Sequence, residues 1–126
     1  MKYLYIELIN TEKISYNHEN IDVIYFKLNI KENGNTIFKQ CIYTTELFNG
    51  IGKNIYENNF YRFINYDHIL QIDGENNDIK IQFELNKLIF TNIIHTGEIM
   101  IDTEQIFYLN DTEIKQFKHE FKQMNF

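Results

Sequence analysis

The chain has 126 residues and a net charge of −6, is 44% hydrophobic, and carries 9 Tyr and 11 Phe. That length and apolar content suit a single domain over residues 1–126 with a real core, and they argue against a disordered chain. An acidic chain without a basic stripe argues against direct nucleic-acid binding, and no apolar run approaches the roughly 18 residues of a membrane span.

Tyr3 to Ile9 opens the chain as a first strand. Its apolar run is broken by Glu7 and lacks the long uncharged segment and small-residue cleavage site of a signal peptide, so a cytoplasmic protein is expected. A polar stretch follows from Asn10 to Asn20. Ile24, Phe26, Leu28 and Ile30 then recur at every second residue, which predicts a second strand over Ile21–Lys31. Asn33-Gly34 supplies the positive φ of a tight hairpin turn, so Thr36–Tyr43 should return antiparallel to it.

Thr44 or Thr45 can cap a short middle helix with Leu47, Ile51 and Ile55 on one face. Gly50 and Gly52 should weaken that helix by roughly 1 kcal/mol each relative to alanine. Strands are expected at Asn59–Asn65 and His68–Asp73, then a turn through Asp73-Gly74-Glu75-Asn76-Asn77. Ile79, Ile81, Phe83 and Leu85 alternate along a strand from Asp78 to Leu85. Asn86 to Gly97 is apolar without a regular period.

Glu98 to Leu109 is extended, but Ile99 and Ile101 share one parity while Ile106 and Tyr108 share the other, which predicts a bulge or a break. Asn110 with Glu113 three residues later reads as a capping box. Ile114, Phe117, Phe121 and Met124 then form the apolar stripe of a helix over Asp111–Met124. The expected class is α+β: a mainly antiparallel β-sheet with a short middle helix and a C-terminal amphipathic helix packed on the sheet.

No set of residues along the chain composes a catalytic centre. His18, His68, His95 and His119 are scattered without HxH or HExxH spacing, and neighbours such as Asp67 and His68 on a strand point to opposite faces. Cys41 is the single cysteine, so no intrachain disulfide is possible, and a buried structural thiol is the expected role. The five glycines form no phosphate loop. No catalytic, cofactor or metal residues are nominated, and the chain is read as a non-enzyme.

Surface chemistry points to a protein partner instead. Residues 111–126 are electrically balanced, so the acidic excess lies on residues 1–110, and acidic surfaces attract basic proteins. Candidate partner-binding carboxylates are Glu12, Glu19 and Asp22 near one connection and Asp73, Glu75 and Asp78 near another, with Tyr16 and Tyr66 as aromatic anchors.

Four segments stand in order: Asp22-Val23-Ile24-Tyr25-Phe26-Lys27-Leu28 followed by Asn33-Gly34; Cys41-Ile42-Tyr43-Thr44-Thr45-Glu46-Leu47; Ile79-Lys80-Ile81-Gln82-Phe83-Glu84-Leu85; and the closing Ile114 to Phe126. Together they resemble the WapI-type immunity proteins of bacterial polymorphic-toxin systems. The family's prolines and helix tryptophan are missing, with Gln40 and Asn65-Tyr66-Asp67 near the proline positions. The resemblance implies a small cytoplasmic protein that neutralises a cognate, basic toxin domain such as a nuclease by occlusion, with no catalytic residues of its own. The alternatives are a phage-encoded inhibitor of a host defence enzyme, and a small-molecule-binding or enzymatic α+β domain whose site forms only in three dimensions.

Overall fold

The computed structural model describes residues 1–16, 18–44, 50–63, 76–96 and 98–124. Nine elements follow in chain order among these residues: β1 (Lys2–Tyr16), β2 (Glu19–Glu32), β3 (Asn35–Thr44), α1 (Ile51–Asn58), β4 (Phe60–Phe63), β5 (Asn76–Glu84), β6 (Lys87–Thr96), β7 (Ile99–Tyr108) and α2 (Asp111–Lys122). The α+β class holds, but the strands form two antiparallel sheets rather than one. The first has the order β1-β2-β3 and the second β4-β5-β6-β7. Each sheet is a meander of sequence neighbours, and each is followed by a helix.

The turn between β2 and β3 agrees with the sequence. Asn33 and Gly34 sit at φ 52° and 85°, the paired positive values that match a two-residue loop to the twist of its strands. The segment Asn10–Asn20 differs from expectation. It continues β1 and opens β2, with Tyr16 paired to Glu19, instead of forming a polar loop. A bulge between Leu8 and Asn10 shifts the register there, and the side chains described on β1 beyond it are exposed. A strand solvated on both faces needs no apolar alternation, so the periodicity that marks a strand in sequence is missing.

The same reasoning covers β7. The expected bulge is absent, because β7 pairs with β6 without interruption from Lys87↔Tyr108 to Thr96↔Ile99. Apart from half-buried Phe107, every residue of β7 is exposed, so the parity of its isoleucines is unconstrained. Asn86–Gly97, irregular in sequence, is mostly β6. Leu88, Ile89, Phe90, Thr91 and Ile93 are all buried there, and burial on both faces erases the alternation. The expected strand His68–Asp73 lies outside the described residues, and the one expected at Asn59–Asn65 is seen as Phe60–Phe63.

One apolar core draws on both sheets. Leu4, Ile24, Phe26, Leu28, Ile30, Phe38 and Ile42 from the first meet Phe63, Ile79, Ile81, Phe83, Leu88 and Phe90 from the second. Phe38 stands at the join, with ring centroids 4.8 Å from Phe90 and 5.2 Å from Phe107 in edge-on geometry. From the helices, Ile51, Ile55, Phe117, Phe121 and Met124 complete the cluster, with Ile114 half-buried against it. The stripe predicted for the last helix is thus the buried one.

The middle helix starts later than expected. Thr44 ends β3, residues 45–47 lie outside the described set, and α1 begins at Ile51 after Gly50. Gly52 is no mere helix weakener. A Cβ added there would lie 1.8 Å from the Phe121 carbonyl oxygen, so the missing side chain lets α1 and α2 cross in close contact.

Glu113 ties α2 to the edge of the first sheet. The capping box is complete, with Glu113 N–H donating to Asn110 Oδ1 (2.8 Å) and Asn110 N–H donating to Glu113 Oε1 (2.9 Å). The other carboxylate oxygen of Glu113 accepts from the Lys2 N–H. Gln116 adds a reciprocal pair, accepting from Leu4 N–H and donating to the Leu4 carbonyl, both at 2.8 Å. Helix side chains therefore bind the backbone at the start of β1, where no described strand pairs on that side.

The hydrogen bond from Asn110 N–H holds the Glu113 carboxyl below its ordinary value of 4.5, helped by the Lys2 N–H and the nearby positive charges and opposed by burial. A carboxylate with a depressed folded pKa adds stability that is present above the unfolded value and lost as pH falls through the folded one. Glu113→Gln should therefore be less stable than the parent near neutrality, and the gap should close as pH falls below 4.5. Urea midpoints measured across that range check it. A constant gap would place the effect in packing rather than charge.

Candidate functional site

The core-facing residues of the first sheet fix what its opposite face presents. Leu4, Ile24, Phe26, Leu28, Phe38 and Ile42 point inward, so Tyr3, Tyr5 and Glu7 of β1, Tyr25 and Lys27 of β2, and Lys39, Cys41 and Tyr43 of β3 point outward. Cross-strand pairing sets them in rows: Tyr5, Asn29 and Lys39; Glu7, Lys27 and Cys41; Asn10, Tyr25 and Tyr43. Tyr3 and Tyr5 are 50% and 42% exposed, and Tyr25 and Tyr43 are half-buried with ring centroids 6.0 Å apart. The outer face is tyrosine-rich.

Glu12 belongs to this surface. Burial of Tyr25 raises its phenol pKa above the ordinary 10.0, and the Glu12 charge and a side-chain hydrogen bond to Glu12 raise it further. A neutral Tyr25 hydroxyl therefore stays in place as the donor to Glu12. Glu12 also accepts from Asn10 Nδ2 at 3.2 Å. The bulge after Leu8 creates this local geometry, since it brings Asn10 opposite Tyr25 and Glu12 opposite Val23.

Of the other sequence candidates, Glu19 is exposed at the far end of the β1–β2 hairpin and Asp22 is half-buried opposite Lys13. Tyr16 lies at the end of β1, where its side chain is outside the described set, as are Tyr66, Asp73 and Glu75 altogether. Asp78 is not the exposed turn residue that the sequence suggests. It lies in β5, only 5% exposed, and accepts from Arg62 Nε (3.2 Å) and Nη2 (2.6 Å). His95 Nε2 stands 3.5 Å from the same Asp78 oxygen.

A buried carboxylate needs such partners, and Arg62 is the only arginine in the chain. The three residues come from β4, β5 and β6, so the cluster stitches neighbouring strands. Thr91, also on β6, has a buried hydroxyl without a hydrogen-bond partner among the described residues. Sequence reading missed the Arg62–Asp78–His95 cluster because its members are far apart in the chain. The lone arginine was the one available signal.

Cys41 is exposed rather than buried, because strand alternation sends it outward between the inward-facing Ile42 and Gln40. Among the described residues no group of three His, Cys, Asp or Glu side chains could hold a metal ion. On the helices, Tyr56 of α1 lies beneath the ammonium groups of Lys118 and Lys122 of α2, at 5.7 and 4.6 Å from its ring centroid. Those lysines are partly engaged within the protein. No helix among the described residues is long and apolar enough to cross a membrane.

No known family matches the chain, and no curated protein does. Among solved structures it is similar to WHY3 from Arabidopsis thaliana, with a TM-score of 0.49 and 10% identity over 95% of this chain and 78% of that one. It is also similar to the plant transcriptional regulator PBF-2, with a TM-score of 0.48 and 10% identity over 95% of this chain and 72% of that one. Neither likeness bears on what this chain binds.

Proposed function

We propose that the chain is a protein-binding inhibitor of the immunity type, which neutralises a basic toxin domain by covering its working surface. The observation that carries this reading is the outer face of the first sheet, where Tyr3, Tyr5, Tyr25 and Tyr43 lie with Glu7, Glu12, Lys27 and Lys39. Tyrosines offer large, rigid contact area at low entropic cost, which makes them frequent anchors of protein interfaces. The net charge of −6 on the chain speeds docking of a cationic partner. The resemblance to WapI-type immunity proteins supports the same class.

Co-expression with a toxin domain encoded beside this chain should restore growth, and the two should co-purify through an interface of roughly 1,200–2,000 Å². Replacing Tyr3 and Tyr5 together by alanine should weaken the complex by roughly 2 kcal/mol while leaving the melting temperature nearly unchanged, since both rings are about half exposed. Absence of both rescue and complex at micromolar concentration would sink the immunity reading. Turnover of a small molecule by the isolated chain would replace it with an enzymatic one.

A further inference from the structure

We propose that the groove between α1 and α2 binds a small organic phosphate, the phosphate ester of an apolar alcohol. The site shares no residue with the tyrosine face and does not rest on the inhibitor reading. The two helices touch at Gly52. One turn further along α1, a groove of about 940 Å³ opens between Tyr56 and Glu57 on one side and Ile114, Lys115, Lys118 and His119 of α2 on the other. That volume suits a small organic molecule.

α2 sorts its charges by face. Glu113 turns to the backbone of Asn110 and Lys2, and Glu120 lines a different hollow with Ile6 and Met124. Lys115, Lys118 and Lys122 follow at intervals of three and four, so they share the groove side of the helix. Like charges at that spacing repel one another. The helix dipole favours His119 and Lys122 in the last turn, but it does not account for Lys115 and Lys118 before them. The Tyr56 ring holds the Lys118 and Lys122 ammonium groups together, 5.7 and 4.6 Å from its centroid. Glu57, the carboxylate on the groove, pairs with Lys53 of its own helix at 3.8 Å. An anion set between the lysines relieves their repulsion. On a chain of net charge −6, such a gathering of cations selects an anionic ligand.

The donors favour phosphate over carboxylate. A carboxylate is matched best by the planar fork of arginine, and the one arginine of the chain, Arg62, is bound to Asp78. A lysine ammonium is a compact charge with three donors, which suits the several oxygens of a tetrahedral phosphate. A phosphate ester carries roughly two negative charges near neutral pH, which Lys118 and Lys122 balance. The half-buried Ile114 and the Tyr56 ring give its alcohol part an apolar wall. A nucleic-acid backbone fits less well, because its phosphates recur along a strand and these lysines occupy one short helix face of an acidic chain.

The test is calorimetric titration of the full chain with phenyl phosphate. It should bind at least about tenfold more tightly than benzoate or inorganic phosphate, and phenol should not bind. Added salt should weaken the binding. Lys118→Gln combined with Lys122→Gln should weaken it by at least about tenfold, the effect of losing a charge-assisted hydrogen bond. The melting temperature should stay nearly unchanged, since neither lysine belongs to the core. Lys115→Gln should weaken binding as well, whereas Glu57→Gln should tighten it, a change in sign that altered packing would not produce.

No saturable binding of phenyl phosphate, or equal affinity in the double variant, would overturn the inference. Equal binding of benzoate would overturn the preference for phosphate, and equal binding of inorganic phosphate would overturn the ester. A single-stranded oligonucleotide that binds more tightly than phenyl phosphate and is lost in the double variant would assign the groove to nucleic acid instead. Loss of toxin rescue in the double variant would assign it to the protein partner. Rescue retained alongside lost phosphate binding would support a separate site, and phenyl phosphate binding without any toxin complex would leave the groove standing and remove the toxin.

Discussion

Gly52→Ala should be among the most damaging single substitutions in this chain, lowering stability by roughly 3 kcal/mol or more and the melting temperature by about 10 °C. In an isolated helix the change would gain about 1 kcal/mol, because alanine has the higher propensity. Here the added methyl would meet the Phe121 carbonyl oxygen at 1.8 Å and press on the Met124 Cβ at 3.0 Å. Backbone cannot yield as a side chain can, so α1 would have to lift away from α2. Ile51 and Ile55, both buried on the same helix, would lose contact with the core. Lys53→Ala, one residue on and exposed, should change stability by no more than about 0.5 kcal/mol. Equal melting temperatures for Gly52→Ala and Lys53→Ala would show that the helices do not cross this closely.

Phe121→Ala should cost about 3–5 kcal/mol, the range for truncating an enclosed aromatic ring. Phe121 is 1% exposed, and its ring meets Phe83 edge-on with centroids 5.9 Å apart. The loss reaches beyond one cavity. α2 also carries Gln116 and Glu113, which bind the backbone of β1, so a loosened helix uncovers the edge that it caps. Denaturant melts should show a large fall in midpoint, and amide exchange at Lys2 and Leu4 should accelerate with it. An unchanged midpoint would mean that α2 is peripheral to the core.

Elements whose two faces differ in solvation were legible in the sequence. β2 shows its inward face as Ile24, Phe26, Leu28 and Ile30, β5 shows Ile79, Ile81 and Phe83, and α2 shows Phe117 and Phe121, with Met124 just beyond its end. Burying one face and wetting the other forces apolar residues into the period of the backbone, and that period survives in the sequence. The Asn33-Gly34 turn and the Asn110–Glu113 capping box were legible for a different reason. Both are local contacts between residues at most three apart, so no distant partner decides them.

The far half of β1, β6 and β7 lacked such a record, because their two faces are alike. β7 is exposed on both faces and the centre of β6 is buried on both, so neither carries a parity signal. Candidate surface residues were readable by type only. Exposed tyrosines among carboxylates were expected, but the β1 bulge and the pairing registers put Tyr25 beside Glu12 and made a tyrosine face. Register likewise turned Asp78 from a candidate contact into the buried partner of Arg62.

The sequence by itself determined the α+β class, the strand and helix periods, the tight turn and the helix cap, because each follows from local backbone geometry and one-sided burial. Only the tertiary structure decided that the described strands form two sheets, that Gly52 marks a helix crossing, and that β7 is exposed at every residue but Phe107. Those features are made by residues distant in the chain, and pairing across such distances leaves no local period to read.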